Sequence, residues 1–151
     1  MRYCIVTVLC CIFFLPVLAQ HPEEDAVKAT IQQLFTAMKS GDTALLASTF
    51  APNAVLQTIV EKKDGSTLVQ TEEVQAFISS VGRPHTETYD ERIVFGPVSV
   101  DGKLASAWTP YRFFLGEKFS HCGVNSFQLV KLATGWKIQY IIDTRRRSDC
   151  D

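Results

Sequence analysis

Histidine is scarce in this chain: His21, His85 and His121 are all there is. No two of them share helical or strand spacing, and in a strand His121 and Cys122 point to opposite faces, so no metal site is expected. There is no Gly-x-Ser-x-Gly elbow and no glycine-rich phosphate loop, which removes the common hydrolase and nucleotide-binding signatures. Net charge is nearly missing, with 15 Lys and Arg against 16 Asp and Glu. No basic field therefore invites nucleic acid. Repeats, linkers and low-complexity segments are absent too. Long apolar runs are missing with one exception, at the N-terminus.

That exception is "MRYCIVTVLCCIFFLPVLAQ". Arg2 is a short positive region, Tyr3 to Leu15 is nearly all apolar, and Pro16 breaks the run before Val17-Leu18-Ala19. This pattern predicts a secretory signal peptide cut after Ala19. The run is short for a membrane span, which needs about 20 apolar residues. Cys10 and Cys11 lie inside it without a small residue before them, unlike a lipoprotein signal. Residues 20–151 then form a single domain of 132 residues, large enough to bury a core. The expected location is secreted or periplasmic, with no membrane contact after cleavage. Cys4, Cys10 and Cys11 leave with the signal, and Cys122 and Cys150 remain where disulfides persist.

The rest alternates in period. From His21-Pro22-Glu23 a helix is expected, with Val27, Ile31, Leu34, Phe35 and Met38 on one face and Gly41 as its left-handed end. Asp42 is expected to cap a second helix carrying Leu45, Leu46 and Phe50, stopped near Pro52. Ala54 to Val60 reads as a strand, turned by Lys62-Lys63-Asp64-Gly65 and answered by Thr67 to Gln70. Thr71 is expected to cap a third helix with Val74, Phe77, Ile78 and Val81. After Pro84 come four strands: Tyr89–Val100, Leu104–Leu115, Phe119–Val130 and Trp136–Thr144. Turns fall at Asp101-Gly102, Gly116-Glu117 and Leu132–Gly135. The order implies α+β, with the helices on one face of a curved antiparallel sheet.

At this point the chain resembles a known family. Two early helices, "FAPNA" before the first strand and a late "GWKI" strand are similar to the nuclear transport factor 2-like superfamily. "SHCGVNSFQLV" followed by "GWKIQYIIDTRRR" resembles the bacterial group labelled "putative lumazine-binding", close to the SnoaL-like group. The resemblance covers nearly all of Glu23 to Asp151. It implies a cone with three N-terminal-half helices on the concave face of the sheet, a cavity between them, and often a dimer. It implies no single activity, since the superfamily holds isomerases, dehydratases, hydrolases, binding domains and transport adaptors.

Strand alternation assigns the cavity side chains. Pairing Lys131 with Trp136 places Phe127 opposite Tyr140 and Asn125 opposite Ile142. His121, Gly123, Asn125, Phe127 and Leu129 then face inward with Trp136, Ile138, Tyr140 and Ile142. Tyr111 joins them in one register of its strand; a one-residue slip would bring in Trp108, Arg112 and Phe114 instead. Gln57 is the candidate from the first strand. The ligand-contact set is thus His121, Asn125, Tyr111, Tyr140 and Gln57. An inward His and Asn can also be core residues satisfied by backbone or water. Their place at the open end of the sheet, beside two tyrosines and a glycine gap, favours ligand contact.

Isomerases and cyclases of the resembled fold use a pocket carboxylate, often near the first strand, but Ala54 to Val60 contains none. Asp90 and Glu91 read as surface charges with local pairing. His121 remains the candidate base, with Tyr111 or Tyr140 as donor. The residues favour a small-molecule binding module without a cofactor over an isomerase, a dehydratase or a purely dimerising module. Arg145, Arg146 and Arg147 read as a solvated strand end. Cys122, on the outer face opposite Arg145, and Cys150 could bridge if the tail folds back; alternatively Cys122 is a small buried hydrophobe. Val124, Val130 and Ile141 on the outer face, with Trp108, suggest a homodimer.

Overall fold

The computed structural model describes residues 20–150; the expected signal peptide lies outside them. Three helices come first in the layer that closes the core: α1 (Gln20–Ser40), α2 (Thr43–Thr49) and α3 (Val74–Val81). The strands are β1 (Phe50–Glu61), β2 (Thr67–Glu72), β3 (Tyr89–Ile93), β4 (Val98–Asp101), β5 (Leu104–Leu115), β6 (Lys118–Leu132) and β7 (Gly135–Arg146). They form one sheet in the order β2-β1-β7-β6-β5-β3, with β4 also paired to β5.

The helical stripe of α1 does what its spacing predicts: Val27, Ile31, Leu34, Phe35 and Met38 are all buried against the sheet. Gly41 ends the helix at φ +69°. The Asp42 carboxylate accepts from the Leu45 amide at 2.9 Å and so caps α2. Glu23, in the first turn of α1, accepts from Lys131 Nζ at 2.6 Å and Trp136 Nε1 at 2.9 Å, which pins the helix to the β6–β7 hairpin. Phe127, Leu129, Ile138 and Trp136 complete the core from the sheet side.

Four expectations need correction. The sheet is mixed, because β1 runs parallel to β7 while every other pairing is antiparallel. Phe50 is the first residue of β1, not the last of α2; it is buried and meets Phe77 edge-on at 6.4 Å. Thr71 belongs to β2, and Glu73 stands at the N-cap of α3 with no side-chain cap bond. The strand expected from Tyr89 to Val100 is broken between Ile93 and Val98, where Gly96 and Pro97 keep only single backbone bonds to Trp108.

The most consequential departure is in β7. Lys131 pairs with Trp136 and Leu129 with Ile138, but Gln128 then pairs with Tyr140, so Gln139 is an extra residue. A larger irregularity lies next door, where β1 advances from Phe50 to Val55 while β7 advances only from Ile138 to Tyr140. There Asn53 sits at φ +58°, and its carbonyl accepts from the Gln139 side chain at 3.2 Å. Two aligned bulges bend the sheet and reverse the faces of everything beyond them.

Candidate functional site

A cavity of about 260 Å³ lies between α1, α3 and the concave face of the sheet. Leu34, Phe35, Met38, Phe77, Phe113 and Phe127 form much of its wall. The sheet supplies most of the polar lining: Glu91 from β3, Tyr111 from β5, His121 and Asn125 from β6, Asp143 and Arg145 from β7, with Gln57 and Thr58 of β1, Glu72 of β2 and Ser80 of α3 also bordering it. The bulge at Gln139 explains this set. Asn125 lies opposite Asp143 rather than Ile142, and Phe127 opposite Ile141 rather than Tyr140. Asp143 and Arg145 therefore point inward, and Ile141 lines the cavity instead of the outer face.

The polar groups form two linked clusters. Asn125 Nδ2 donates to Glu91 Oε1 at 2.8 Å. Loss of surrounding water pushes Glu91 up to about 7, with the Asn125 bond pulling down, the nearby Asp143 charge adding to the rise and Arg145 opposing it. In the second cluster Asp143 accepts from Arg145 Nε at 2.9 Å, from the Tyr111 hydroxyl at 3.1 Å and from Thr58. Burial and the Asp143 charge hold the Tyr111 phenol well above its ordinary value, so it remains a neutral donor. His121 packs edge-on to Tyr111 at 5.7 Å and tilted against Phe113 at 4.9 Å, with Nδ1 3.1 Å from the Ser120 hydroxyl. Burial, then the Arg145 charge, lower its pKa, which favours a neutral imidazole.

Gly123 has a definite task here. A Cβ at this position would collide with the Thr144 carbonyl and come within 2.8 Å of the Tyr111 ring. Gly123 pairs with Tyr111, and the bare backbone lets the phenol lie across it to reach Asp143 and the Thr144 carbonyl at 3.0 Å.

Of the expected ligand contacts, His121, Asn125 and Tyr111 meet at the cavity. Tyr140 does not: the bulge turns it to the outer face, where its hydroxyl donates to Gln57 Oε1 at 2.6 Å. Gln57 borders the cavity, but its side chain is held on that outer face by Tyr140 and Thr71. Arg145 is exposed, its side chain 53% accessible and paired with Asp143 at 2.9 Å, and it also borders the cavity. Arg146 and Arg147 are exposed. Asp90 is no surface charge: it is buried, paired with Lys39 of α1 at 3.0 Å as well as with nearby Arg92 at 2.9 Å, whereas its neighbour Glu91 faces the cavity. Strand alternation alone separates those two acids; pairing Glu91 with Phe113 would have revealed it.

A disulfide joins Cys122 to Cys150, whose Cα atoms are 5.7 Å apart. Cys122 lies opposite Arg146, one residue beyond the expected Arg145, again because of the bulge. The tail folds back through Asp149 at φ +52°, and Arg112 donates to the Cys150 carbonyl at 3.3 Å.

A family model described as "Putative lumazine-binding" matches residues 22–139. No curated protein matches the chain. Solved structures share the fold at low identity. A nuclear transport factor 2-like protein of unknown function from Shewanella baltica is 14% identical over 85% of this chain and 97% of its own, with a TM-score of 0.64. A domain of unknown function with a cystatin-like fold from Nostoc punctiforme is 21% identical over 85% and 80%, also with a TM-score of 0.64. A protein described as a "putative dehydratase" of the nuclear transport factor 2-like family, from Streptomyces avermitilis, is 14% identical over 85% and 99%, with a TM-score of 0.63.

Proposed function

Because this chain belongs to the "putative lumazine-binding" family of the nuclear transport factor 2-like superfamily, we propose that its cone cavity holds a small, flat, mostly aromatic molecule, with bicyclic heterocycles of the lumazine type the first class to test. The observation that carries this reading is the cavity itself. It measures about 260 Å³, much of its wall is aromatic and aliphatic, and a limited set of polar side chains, Asn125 and Glu91 among them, faces it. That is the usual build of a small-molecule pocket, where apolar walls give affinity and a few placed polar groups give orientation. Asn125 keeps its carbonyl oxygen free of side-chain partners while its amide donates to Glu91. An edge with alternating N–H and C=O groups suits that pair. Isothermal titration with lumazine is the test. Asn125→Ala is expected to weaken binding roughly ten-fold, the loss of one or two hydrogen bonds. Absence of heat with lumazine and with pterin and flavin rings would sink the reading.

A second reading rests on Glu91. A carboxyl near neutrality, facing an apolar cavity, suits general acid–base chemistry better than His121 does. Enolisable cyclic ketones are the substrates to try, with turnover abolished in Glu91→Gln and binding retained. Unchanged turnover in that variant would remove Glu91 from any reaction.

The proposal extends to setting. A secreted or periplasmic protein follows from the N-terminal signal pattern, and fractionation of cells making the tagged full chain checks it. A homodimer through the outer face of the sheet follows from its exposed apolar side chains.

A further inference from the structure

The outer face of the sheet, turned away from the cavity, holds the Cys122–Cys150 disulfide, and its two sulfurs have unlike surroundings. Cys122 of β6 is 1% exposed, whereas Cys150 is half-buried in the tail that folds back over the sheet. Register pairs Cys122 with Arg112 of β5 and with Arg146 of β7, so both arginines rise from the same face on either side of it. Arg92 of β3 continues the row opposite Arg112. Asp90 matches Arg92, but among the described residues Arg112 and Arg146 have no carboxylate partner. Arg112 lies over the Phe119 ring at 4.9 Å and donates to the Cys150 carbonyl, and Arg146 Nε donates to the Asp149 carbonyl at 2.7 Å. The Asp149 carboxylate accepts from the Ser148 hydroxyl at 3.2 Å and forms an ion pair with neither arginine.

We propose that this bond is a thiol-exchange site, opened by a small thiol that carries carboxylates, with Cys150 as the sulfur attacked and Cys122 as the leaving thiolate. Exchange needs access to one of the two sulfurs, and the half-buried Cys150 gives it where Cys122 does not. The incoming thiolate forms a bond to Cys150 Sγ, the bond between the cysteines breaks, and its electron pair stays on Cys122 Sγ. Arg112 and Arg146 flank the charge created there, and cations beside a leaving thiolate speed its departure. A second small thiol then attacks the sulfur of the first. Cys150 is released as a thiol together with a small-molecule disulfide, and two electrons have passed to the protein. The arginines without carboxylate partners set the class of attacker. They draw in an anionic thiol and hold its carboxylates during the attack.

The experiment exposes the folded, unreduced protein to reduced glutathione, quenches samples at intervals with iodoacetamide and locates the adduct by mass spectrometry. Trypsin separates the two cysteines, into Phe119–Lys131 and Ser148–Asp151. Glutathione is expected on Ser148–Asp151 and the iodoacetamide label on Phe119–Lys131. The rate should rise in proportion to glutathione concentration. It should exceed the rate with cysteamine, a cationic thiol, roughly five-fold once each is scaled to its rate with a small neutral disulfide, and high salt should erase that preference. Arg112→Gln/Arg146→Gln, checked for folding by circular dichroism, should lose the same factor with glutathione; if it does not fold, the salt dependence of the wild type decides. Glutathione on the Cys122 peptide, or no adduct at all, would overturn the site. So would equal scaled rates for the two thiols, or a rate that levels off with glutathione concentration, since the bond would then open only through unfolding.

Discussion

The Glu91 carboxyl carries a folded-state pKa of about 7 against an ordinary 4.5. A raised acid pKa means that the native state holds its proton more tightly than the unfolded chain. The associated stability is fully present below pH 4.5 and is lost as pH rises through about 7, amounting to at most about 3 kcal/mol. The lowered pKa of His121 acts in the opposite sense, with stability present above its unfolded pKa and lost as pH falls through the folded one. Comparing wild type with Glu91→Gln cancels the His121 contribution, since both proteins retain it. Melting temperatures followed from pH 5 to 8 should show the wild type losing ground to the variant. A constant difference across that range would mean that Glu91 titrates normally. Gly123 permits a second test at this scale. In Gly123→Ala the new methyl has a backbone carbonyl and the Tyr111 ring in its way. Urea unfolding should show a loss of about 2 kcal/mol, typical of overpacking. Tyr111→Phe, which removes only the hydroxyl and its bonds to Asp143 and Thr144, should cost about 1 kcal/mol. Equal stability of Gly123→Ala and wild type would show that the strand can give way.

At the level of single elements, much was legible in the sequence, and the reasons are local. The stripe of α1, the Asp42 cap, the tight turns at Gly102 and Gly116 and the Lys131–Trp136 pairing all follow from residues close together in the chain. The bulge in β7 was not legible. Ile138, Tyr140, Ile141 and Ile142 are apolar on both alternating phases, so a one-residue slip leaves no mark in the pattern. Its partner irregularity, at Pro52-Asn53 in β1, reads from sequence as the end of a helix. With the bulge went Asp143 and Arg145, the inward half of the polar cluster, and Tyr140 was assigned to the wrong face. Glu91 was hidden differently, among the alternating charges of Asp90-Glu91-Arg92. The disulfide belongs to this scale as well. It closes a loop of 28 residues containing all of β7, and by the unfolded-state entropy argument it adds about 3 kcal/mol. Denaturant midpoints with and without reductant should differ accordingly, and Cys150→Ser should match the reduced wild type. Two titratable thiols per chain in unreduced, denatured protein would refute the bridge.

For the whole molecule, the sheet has two unlike sides. The concave side carries the cavity, while the convex side presents Trp108, 51% exposed, with partly exposed Val124, Tyr140 and Ile142 around it. Ile141, expected there, has left for the cavity, and Tyr140 and Ile142 have taken its place. If this face joins two copies, light scattering at micromolar concentration should give twice the mass of the chain, and Trp108→Glu should halve it. A wild-type monomer under those conditions would end the dimer proposal. The parallel pairing of β1 with β7 reaches further than geometry. Phe50 waits for Ile138, and Thr58 for Asp143, across most of the domain. Such distant partners must find each other against a large loss of chain freedom, which slows folding. A ribosome will therefore have released nearly all of this domain before the strand that completes the cavity exists. Until then β1 has only β2 beside it, and one edge of the cavity wall is missing.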